Sequence, residues 1–392
     1  MRNTKDKVEY QKSTNNLLQG GQKIMWLPQG TNVDAAMFGR MVEDKSASYK
    51  LFWTYGIFEE IIHGNSEISF RRITSRMLSL AWYPVTEYHL HLGYSDKIEE
   101  TIQKVRDYKT IKNTETPEKI TDLIEQMDYP DLNTMLSKLS NMVPYRLLHA
   151  FYKLQLKPLK LNDSALHKKI EELSQADDQV FYRIYTKEKK IQVNLMWMRY
   201  ITENQAILSD WIKYQLIDYL QKRNPNVPGI PFKLEPPLRR NLSKAKRFWK
   251  IAGGQFELCD IYTRDGFSIE NQATYGSVSI DHFIPWSFVM HDELWNLIPV
   301  FKNINSSKNN SLPDLDKYLK TFCTLQYQAF DAVRRSGQLK EALIDYTHAN
   351  VELQVGENGL YQKVDKVTFC NGMEATIKPL YQIALNQGYE KW

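Results

Sequence analysis

Two adjacent residues with catalytic potential, Asp281 and His282, follow the strand-like run Val278-Ser279-Ile280. Successive side chains of a strand point to opposite faces, so one of the pair could bind a metal while the other faces a scissile phosphate. Histidine titrates near neutral pH and suits a base that activates water. Hydrolysis of a phosphodiester also needs a cation, and oxygen ligands from Asp and Asn suit Mg²⁺.

Two asparagines downstream continue the pattern. Pro285 interrupts the strand, and Asn296 then precedes a second short apolar run, Leu297-Ile298. A polar segment containing Asn305 follows, for which we predict a short helix. His282 and Asn296 lie 14 residues apart, and Asn296 and Asn305 lie 9 apart.

This stretch resembles the ββα-metal fold of HNH endonucleases, and in particular the HNH domain of the large RNA-guided CRISPR effector nucleases. The shared pattern is Asp-His-x-x-Pro, then Asn-Leu, then Asn-x-x-Lys, which here are residues 281–285, 296–297 and 305–308. Leu312-Pro313 also stands where that domain has an apolar-Pro step. The resemblance implies an endonuclease.

The resemblance also implies a role for each residue of the motif. His282 would be the general base, and Asp281 and Asn305 would hold one divalent cation, Mg²⁺ or Mn²⁺. Asn296 would brace the loop between the strands and keep His282 oriented. Lys308 would contact phosphate. The expected products carry 5′-phosphate and 3′-hydroxyl ends.

The motif departs from the family pattern at its third position, which is Asn305 rather than histidine. Asn303 or Asn309 would replace Asn305 as the cation ligand if the register of the helix differs. Many HNH proteins carry two Cys-x-x-Cys pairs on a structural zinc. This chain has only Cys259 upstream of the motif, so we expect no structural zinc.

A basic segment, residues 238–250, lies just upstream of the motif and contains no acidic residue. Such a segment could grip a nucleic-acid backbone, and a solvated helix face is the alternative. The candidate nucleic-acid contacts in it are Arg239, Arg240, Lys244, Lys246, Arg247 and Lys250.

The chain is predicted to be α+β, with a mostly helical N-terminal domain, then the ββα-metal domain and C-terminal helices. Residues 223–237 contain five prolines and are predicted to be an extended linker. A helix from Phe70 is predicted to end near Tyr83, because Pro84 disfavours helix in the residue before it. The predicted domains are a flexible N-terminus (1–24), a helical domain (25–222), the linker (223–237), the nuclease domain (238–340) and a C-terminal segment (341–392).

The composition permits nucleic-acid binding without requiring it, with a net charge of +5 over 392 residues. The three cysteines lie far apart, which favours a reducing compartment. The sequence shows neither a signal peptide nor an apolar run long enough to span a membrane. We therefore expect a cytoplasmic protein with no membrane partner.

The role of the N-terminal domain is left open by the sequence. Residues 70–96, with their Ala-Trp-Tyr-Pro step, resemble the front half of a group of bacterial stand-alone HNH proteins. The domain could grip the DNA substrate, dock a partner in antiviral defence, or form a homodimer. The alternative to an active nuclease is a catalytically silent HNH fold that binds nucleic acid or a partner, although the base and the ligands are all retained here.

Overall fold

The structure is a computed structural model, which describes residues 27–43, 45, 47–112, 115–236, 240–350, 353 and 364–392. Helices dominate the chain, and two small antiparallel sheets accompany them. The predicted α+β class, with a helical N-terminal region, is confirmed.

The helices of the described residues are numbered in chain order. They are α1 Ala35–Met41, α2 Tyr49–Ile62, α3 Phe70–Thr86, α4 Ile98–Tyr108, α5 Pro117–Gln126, α6 Pro130–Ser140, α7 Val143–Leu156, α8 Asp163–Ala176, α9 Leu195–Glu203, α10 Gln205–Arg223, α11 Ser243–Gly253, α12 Ile269–Tyr275, α13 Trp286–Val289, α14 Lys302–Lys308, α15 Leu315–Ser336, α16 Ile344–Ala349 and α17 Lys366–Asn386. The strands are β1 Glu67–Ser69, β2 Tyr182–Tyr185, β3 Lys190–Val193, β4 Val278–His282 and β5 Leu297–Phe301.

The chain divides into two compact units. The first contains Met1–Thr74 and Leu136–Gln215, and the second contains Ser75–Met135 and Leu216–Trp392. In the first unit, β3 lies between β1 and β2. The core of the first unit includes an aromatic cluster, in which the ring centroid of Phe38 lies 5.7 Å from those of Phe181 and Trp211. Burial of large aromatic side chains is a main source of stability for such a unit.

The second unit contains the motif, and its long helix α15 supports it. α15 packs against both α11 and α17, and the ring of its Phe322 stacks on Phe283 at 4.0 Å. The buried side chain of Gln326 reaches from α15 to the backbone, where its amide donates to the carbonyl oxygens of Leu294 and Leu297 at 3.2 and 2.9 Å. α15 therefore fixes the chain on both sides of Asn296.

The predicted end of the helix at Tyr83 is wrong, because α3 continues to Thr86 with Pro84 inside it. The hydroxyl of Thr86 donates to the carbonyl of Trp82, and the amide of Glu87 donates to that of Tyr83. Trp82 and Tyr83 are buried. Tertiary packing and these local bonds outweigh the proline preference, since such preferences are weak compared with burial.

The Pro-rich segment is not extended throughout, because residues 230–232 form a turn of 3-10 helix and Ile230 and Lys233 are buried. The predicted N-terminus, residues 1–24, lies outside the described residues. The predicted domain boundaries remain a prediction, and the two compact units divide the chain at other positions. Among the described residues, no helix combines the length and apolar character that a membrane crossing requires.

Candidate active site

The motif forms a β-hairpin followed by a short helix. β4 pairs antiparallel with β5, so that Asp281 faces Ile298 and His282 faces Leu297. All five side chains of β5 are buried, which anchors the hairpin in the second unit. α14 begins directly after β5 and packs against both strands. The order strand, strand, helix is the one that the motif predicts.

Asn296 ties the two ends of the hairpin loop together. Its amide oxygen accepts from the backbone N–H of Ile284, and its amide nitrogen donates to the carbonyl of the same residue, both at 2.8 Å. The backbone carbonyl of Asn296 accepts from the N–H of Phe283 at 2.9 Å. These bonds fix the backbone immediately after His282. They fit the predicted bracing role, which remains a prediction.

The imidazole of His282 is held from both sides. Its Nε2 lies 2.9 Å from Oδ1 of Asp292, and its Nδ1 lies 3.3 Å from Nη1 of Arg240. Arginine has only donors, so Nδ1 accepts its hydrogen bond, and Nε2 carries a proton and donates to Asp292. The guanidinium of Arg240 also lies 5.4 Å from the centroid of the Trp286 ring. Nδ1 is therefore the unprotonated nitrogen, whose lone pair can accept a proton.

The environment of His282 favours the neutral imidazole. Only 3% of the residue is exposed. Burial lowers the pKa of His282 below its usual value, and the nearby charge of Arg240 lowers it as well, while the hydrogen bond to Asp292 raises it. A neutral histidine is the form that accepts a proton from water.

Asp281 is buried, and both of its carboxylate oxygens have polar partners. The hydroxyl of Tyr262 donates to Oδ2 at 3.2 Å, and the ammonium of Lys308 lies 3.3 Å from Oδ1 and 3.2 Å from Oδ2. Lys308 also donates to the carbonyl of His282 at 2.7 Å. Burial raises the pKa of Tyr262 well above its usual value, so the phenol stays a donor.

The prediction that Lys308 contacts phosphate does not agree with this geometry. Lys308 is fully buried, with 0% of its surface exposed, and its charge is paired with Asp281. It lies in the last turn of α14, on the side that packs against the end of β4. In this arrangement Lys308 is an internal counter-charge for Asp281.

Asn305 lies on α14, which packs against β4. Its amide nitrogen donates to Oγ of Ser279 and to the carbonyl of Ile280, at 3.1 and 3.3 Å. These bonds turn the amide oxygen away from the strand, and that oxygen accepts no hydrogen bond from the described residues. Asn309 lines the same cavity as Asn305, whereas Asn303 does not and lies against Gly276.

The candidate cation site is a polar cavity of about 220 Å³ that brings Asp281, His282, Asn305 and Arg240 together. Among the described residues, no group of three or more His, Cys, Asp or Glu side chains is arranged to hold a metal. One carboxylate and one amide oxygen still fit Mg²⁺, which usually keeps several waters and takes few protein ligands. The donor set therefore suits a hard cation that the substrate phosphate would also contact.

The basic segment is divided among different surroundings. Arg239 lies outside the described residues, and Arg240 lines the cavity beside His282. Lys244 forms an ion pair at 2.6 Å with the buried carboxylate of Asp345, so its positive charge is already paired within the protein. The three remaining residues, Lys246, Arg247 and Lys250, are exposed on α11 and form no ion pair with any described residue.

Asp292 and Tyr262 are the residues near the site that the motif did not indicate. Asp292 lies in the loop between α13 and β5, and Tyr262 lies 19 residues before Asp281. Neither has a local pattern that predicts its contact, because each reaches the site through the path of a loop. The only available signal was that two acidic residues, Asp292 and Glu293, lie between His282 and Asn296.

Comparison with known protein families gives evidence that is separate from the geometry. Residues 260–314 match a family model described as HNH endonuclease. The matched stretch contains β4, β5 and α14, together with the loops that carry Tyr262 and Asp292. The comparisons with curated proteins and with solved structures gave no match. The resemblance predicted from the motif is thus confirmed for residues 260–314, which are similar to HNH endonucleases.

Proposed function

We propose that this protein is a metal-dependent endonuclease that hydrolyses phosphodiester bonds of DNA at the cavity between Asp281 and Asn305. The main observation in support is the environment of His282, a lining residue of the cavity, whose Nδ1 accepts from Arg240 while Nε2 donates to Asp292. The family match supports nuclease chemistry in general. The remaining elements of the proposal follow from the donor atoms that share this cavity.

In the proposed reaction, Nδ1 of His282 accepts a proton from a water that attacks the phosphorus. The bond from phosphorus to the 3′ oxygen breaks, the 3′ oxygen leaves with the bonding electrons and takes a proton from solvent water, and the products carry a 5′-phosphate and a 3′-hydroxyl. Asp281 and Asn305 would hold Mg²⁺ or Mn²⁺, which would supply positive charge for the phosphate and the leaving oxygen. Arg240 must release Nδ1 before water can be activated, and its guanidinium would then be free to bind the phosphate.

We also propose that the nuclease acts in prokaryotic antiviral defence, in the cytoplasm, with a partner that licenses cutting. The support is indirect: an unrestrained nuclease would endanger the genome of its own cell. A homodimer is the alternative assembly, because two single-cut centres would then act on opposite strands. A catalytically silent module is the rival function, and the intact donor and acceptor geometry at His282 argues against it.

Cleavage of supercoiled plasmid tests the proposal. The purified full-length protein is incubated with plasmid and Mg²⁺ or Mn²⁺, beside His282→Ala and a sample with chelator. We expect nicked plasmid from the wild type only when the cation is present, and at least a hundredfold less from His282→Ala, since general base catalysis contributes roughly 10²- to 10⁴-fold. His63→Ala, which changes an exposed histidine of the first unit, is the matched control.

Binding of Mn²⁺, measured by titration calorimetry without substrate, separates metal binding from catalysis. Asp281→Asn should weaken binding, and His282→Ala should leave it nearly unchanged. Cutting without a cation, or full activity of His282→Ala, would contradict the mechanism. A wild type that binds Mn²⁺ yet does not cut plasmid, even with the products of neighbouring genes added, would favour the silent module.

A further inference from the structure

A second cavity lies beside the catalytic one and is not used by the proposed reaction. It has a volume of about 740 Å³ and lies between α11 and the first half of β4. Its lining is mostly apolar, with contributions from Trp249, Leu258, Phe267, Val278 and Pro299. Val278 is 42% exposed, so a large apolar side chain of the hairpin faces solvent at this cavity.

Two lysines give this cavity a positive rim. Lys246 and Lys250 both line it, one helical turn apart on α11. Neither forms an ion pair with a described residue, although Glu257 also lines the cavity. By contrast, Lys244 on the same helix is neutralised by Asp345. Two of the three exposed basic residues of α11 that form no ion pair with a described residue thus line the cavity, and their charge favours an anionic ligand.

The two cavities meet along β4. Ile280 lines both of them, and among the described strands β4 pairs only with β5, so its other edge has no partner strand. A chain of linked phosphates that passes His282 along this edge would continue to Lys246 and Lys250. The spacing along the strand is two residues from His282 to Ile280 and two more to Val278, at roughly 3.3 Å per residue. That is the scale of neighbouring nucleotides.

We propose that this second cavity binds an unpaired nucleobase next to the scissile phosphate, with Lys246 and Lys250 on the adjoining backbone, so that the preferred substrate is single-stranded or locally opened DNA. The inference rests on the proposed nuclease function. A base in a duplex already has both faces stacked and gains nothing from an apolar cavity. An unpaired base has free faces that can be buried against apolar and aromatic side chains.

Binding can be measured without cleavage in the His282→Ala background. Fluorescence anisotropy would compare a labelled single strand with a blunt duplex of the same length. We expect tighter binding of the single strand. Val278→Met, which places a long non-aromatic side chain in the cavity, should weaken single-strand binding by roughly 5- to 10-fold, since stacking of one base is worth about 1–3 kcal/mol. Duplex binding should change by less than about twofold.

The matched control is Ile269→Met, which alters an 83% exposed apolar residue that does not line the cavity, and it should have no effect. Lys246→Gln with Lys250→Gln should weaken binding of both DNAs and reduce its salt dependence. A single strand containing 4-thiothymidine should cross-link to residues of the cavity.

Two results would overturn the proposal: duplex bound at least as tightly as the single strand, or Val278→Met without a selective effect. Because binding is measured in a non-cutting variant, a failure of catalysis does not affect this test. Conversely, a protein that cuts plasmid but shows no preference for single strands would retain the proposed function and lose this inference.

Discussion

At the scale of single residues, the contact between Asp292 and His282 leads to a prediction about catalysis. The carboxylate accepts a hydrogen bond from Nε2–H, which keeps the proton on Nε2 and the lone pair on Nδ1. An amide at position 292 could donate to Nε2 instead and favour the wrong tautomer, as happens when the aspartate of a serine-protease triad is changed to asparagine. We expect Asp292→Asn to lower kcat by about 10- to 100-fold with little change in KM.

The nitrogen chemical shifts of His282, measured by NMR at one pH, test the same prediction without activity. The wild type should carry its proton on Nε2, and Asp292→Asn should shift the population toward the Nδ1–H form. Glu293→Gln is the matched control, because that carboxylate bonds to Trp295 and His348 and not to His282. An unchanged tautomer and unchanged kcat would show that Asp292 has no positioning role.

Lys308 gives a prediction about stability. Lys308→Met leaves the carboxylate of Asp281 buried without its counter-charge, and removing one partner of a buried ion pair costs about 3–5 kcal/mol. Urea unfolding should show this loss, whereas Lys302→Met, which changes an exposed lysine of the same helix, should change the free energy of unfolding by less than about 0.5 kcal/mol.

The double variant Asp281→Asn with Lys308→Met separates the two interpretations of Lys308. If the lysine is the internal counter-charge, the double variant should be more stable than Lys308→Met alone. If Lys308 instead bound phosphate, Lys308→Met would leave the free energy of unfolding unchanged and would weaken DNA binding. The two outcomes are opposite in both measurements.

The sequence predicted some of these residue positions and missed others for a physical reason. Spacing along the motif was enough to bring Asp281, His282 and Asn305 to one cavity, because strand and helix geometry are regular. Lys308 is the seventh residue of α14, and whether it faces solvent or the strand depends on how the helix packs. The sequence does not show this packing. The contact of Asp292 depends on the path of a 14-residue connection and has no periodic signal.

At the scale of elements, the hairpin depends on Asn296 as a substitute for backbone pairing. Asn296→Ala would leave both the N–H and the carbonyl of Ile284 buried without partners. Each unsatisfied buried group costs about 1–3 kcal/mol, so we expect a loss of roughly 2–5 kcal/mol in the free energy of unfolding. Amide hydrogen exchange of Phe283 and Ile284 should accelerate in particular. Asn303→Ala, at an exposed position, should affect neither measurement.

The order of elements was more predictable than their ends. The alternation before Asp281, the apolar run after Asn296 and the polar segment beyond it indicated strand, strand and helix, which the structure has as β4, β5 and α14. The end of α3 was wrong by three residues, because the proline signal is local and the packing of Trp82 and Tyr83 is not. The Pro-rich segment was assigned by composition, which does not reveal that Ile230 and Lys233 are buried.

At the scale of the whole molecule, Lys233 links stability to pH. Its side-chain nitrogen lies 2.6 Å from the carbonyl of Phe288 and has no carboxylate partner among the described residues, and burial lowers the pKa of Lys233 from 10.5 to about 7. Between these two values the unfolded chain holds a proton that the folded chain lacks. The contribution of Lys233 to stability is therefore complete above pH 10.5 and is lost as the pH falls to about 7, by up to about 1.4 kcal/mol per pH unit.

Urea unfolding between pH 7 and 10 checks this linkage. The free energy of unfolding should rise less steeply with pH in Lys233→Met than in the wild type, because the variant has no lysine to titrate there. Lys109→Met changes an exposed lysine and should keep the slope of the wild type. Equal slopes in all three proteins would show that Lys233 keeps its ordinary pKa in the folded state.

The number of catalytic centres decides how a plasmid is cut. The described residues contain one His282 site, and under the proposed function this single centre would cut one strand at a time. A protein acting as a monomer should convert supercoiled plasmid to nicked circles first, with linear DNA appearing only after random second cuts. Its initial rate should be proportional to protein concentration. A homodimer would produce linear DNA from the start, with a rate that rises faster than the protein concentration until the dimer is fully formed.

Gel analysis of the products over a range of protein concentrations distinguishes the monomer from the homodimer, and mixing wild type with His282→Ala gives the control. In a dimer each mixed pair would nick without linearising, whereas in a monomer the inactive chain would only dilute the active one.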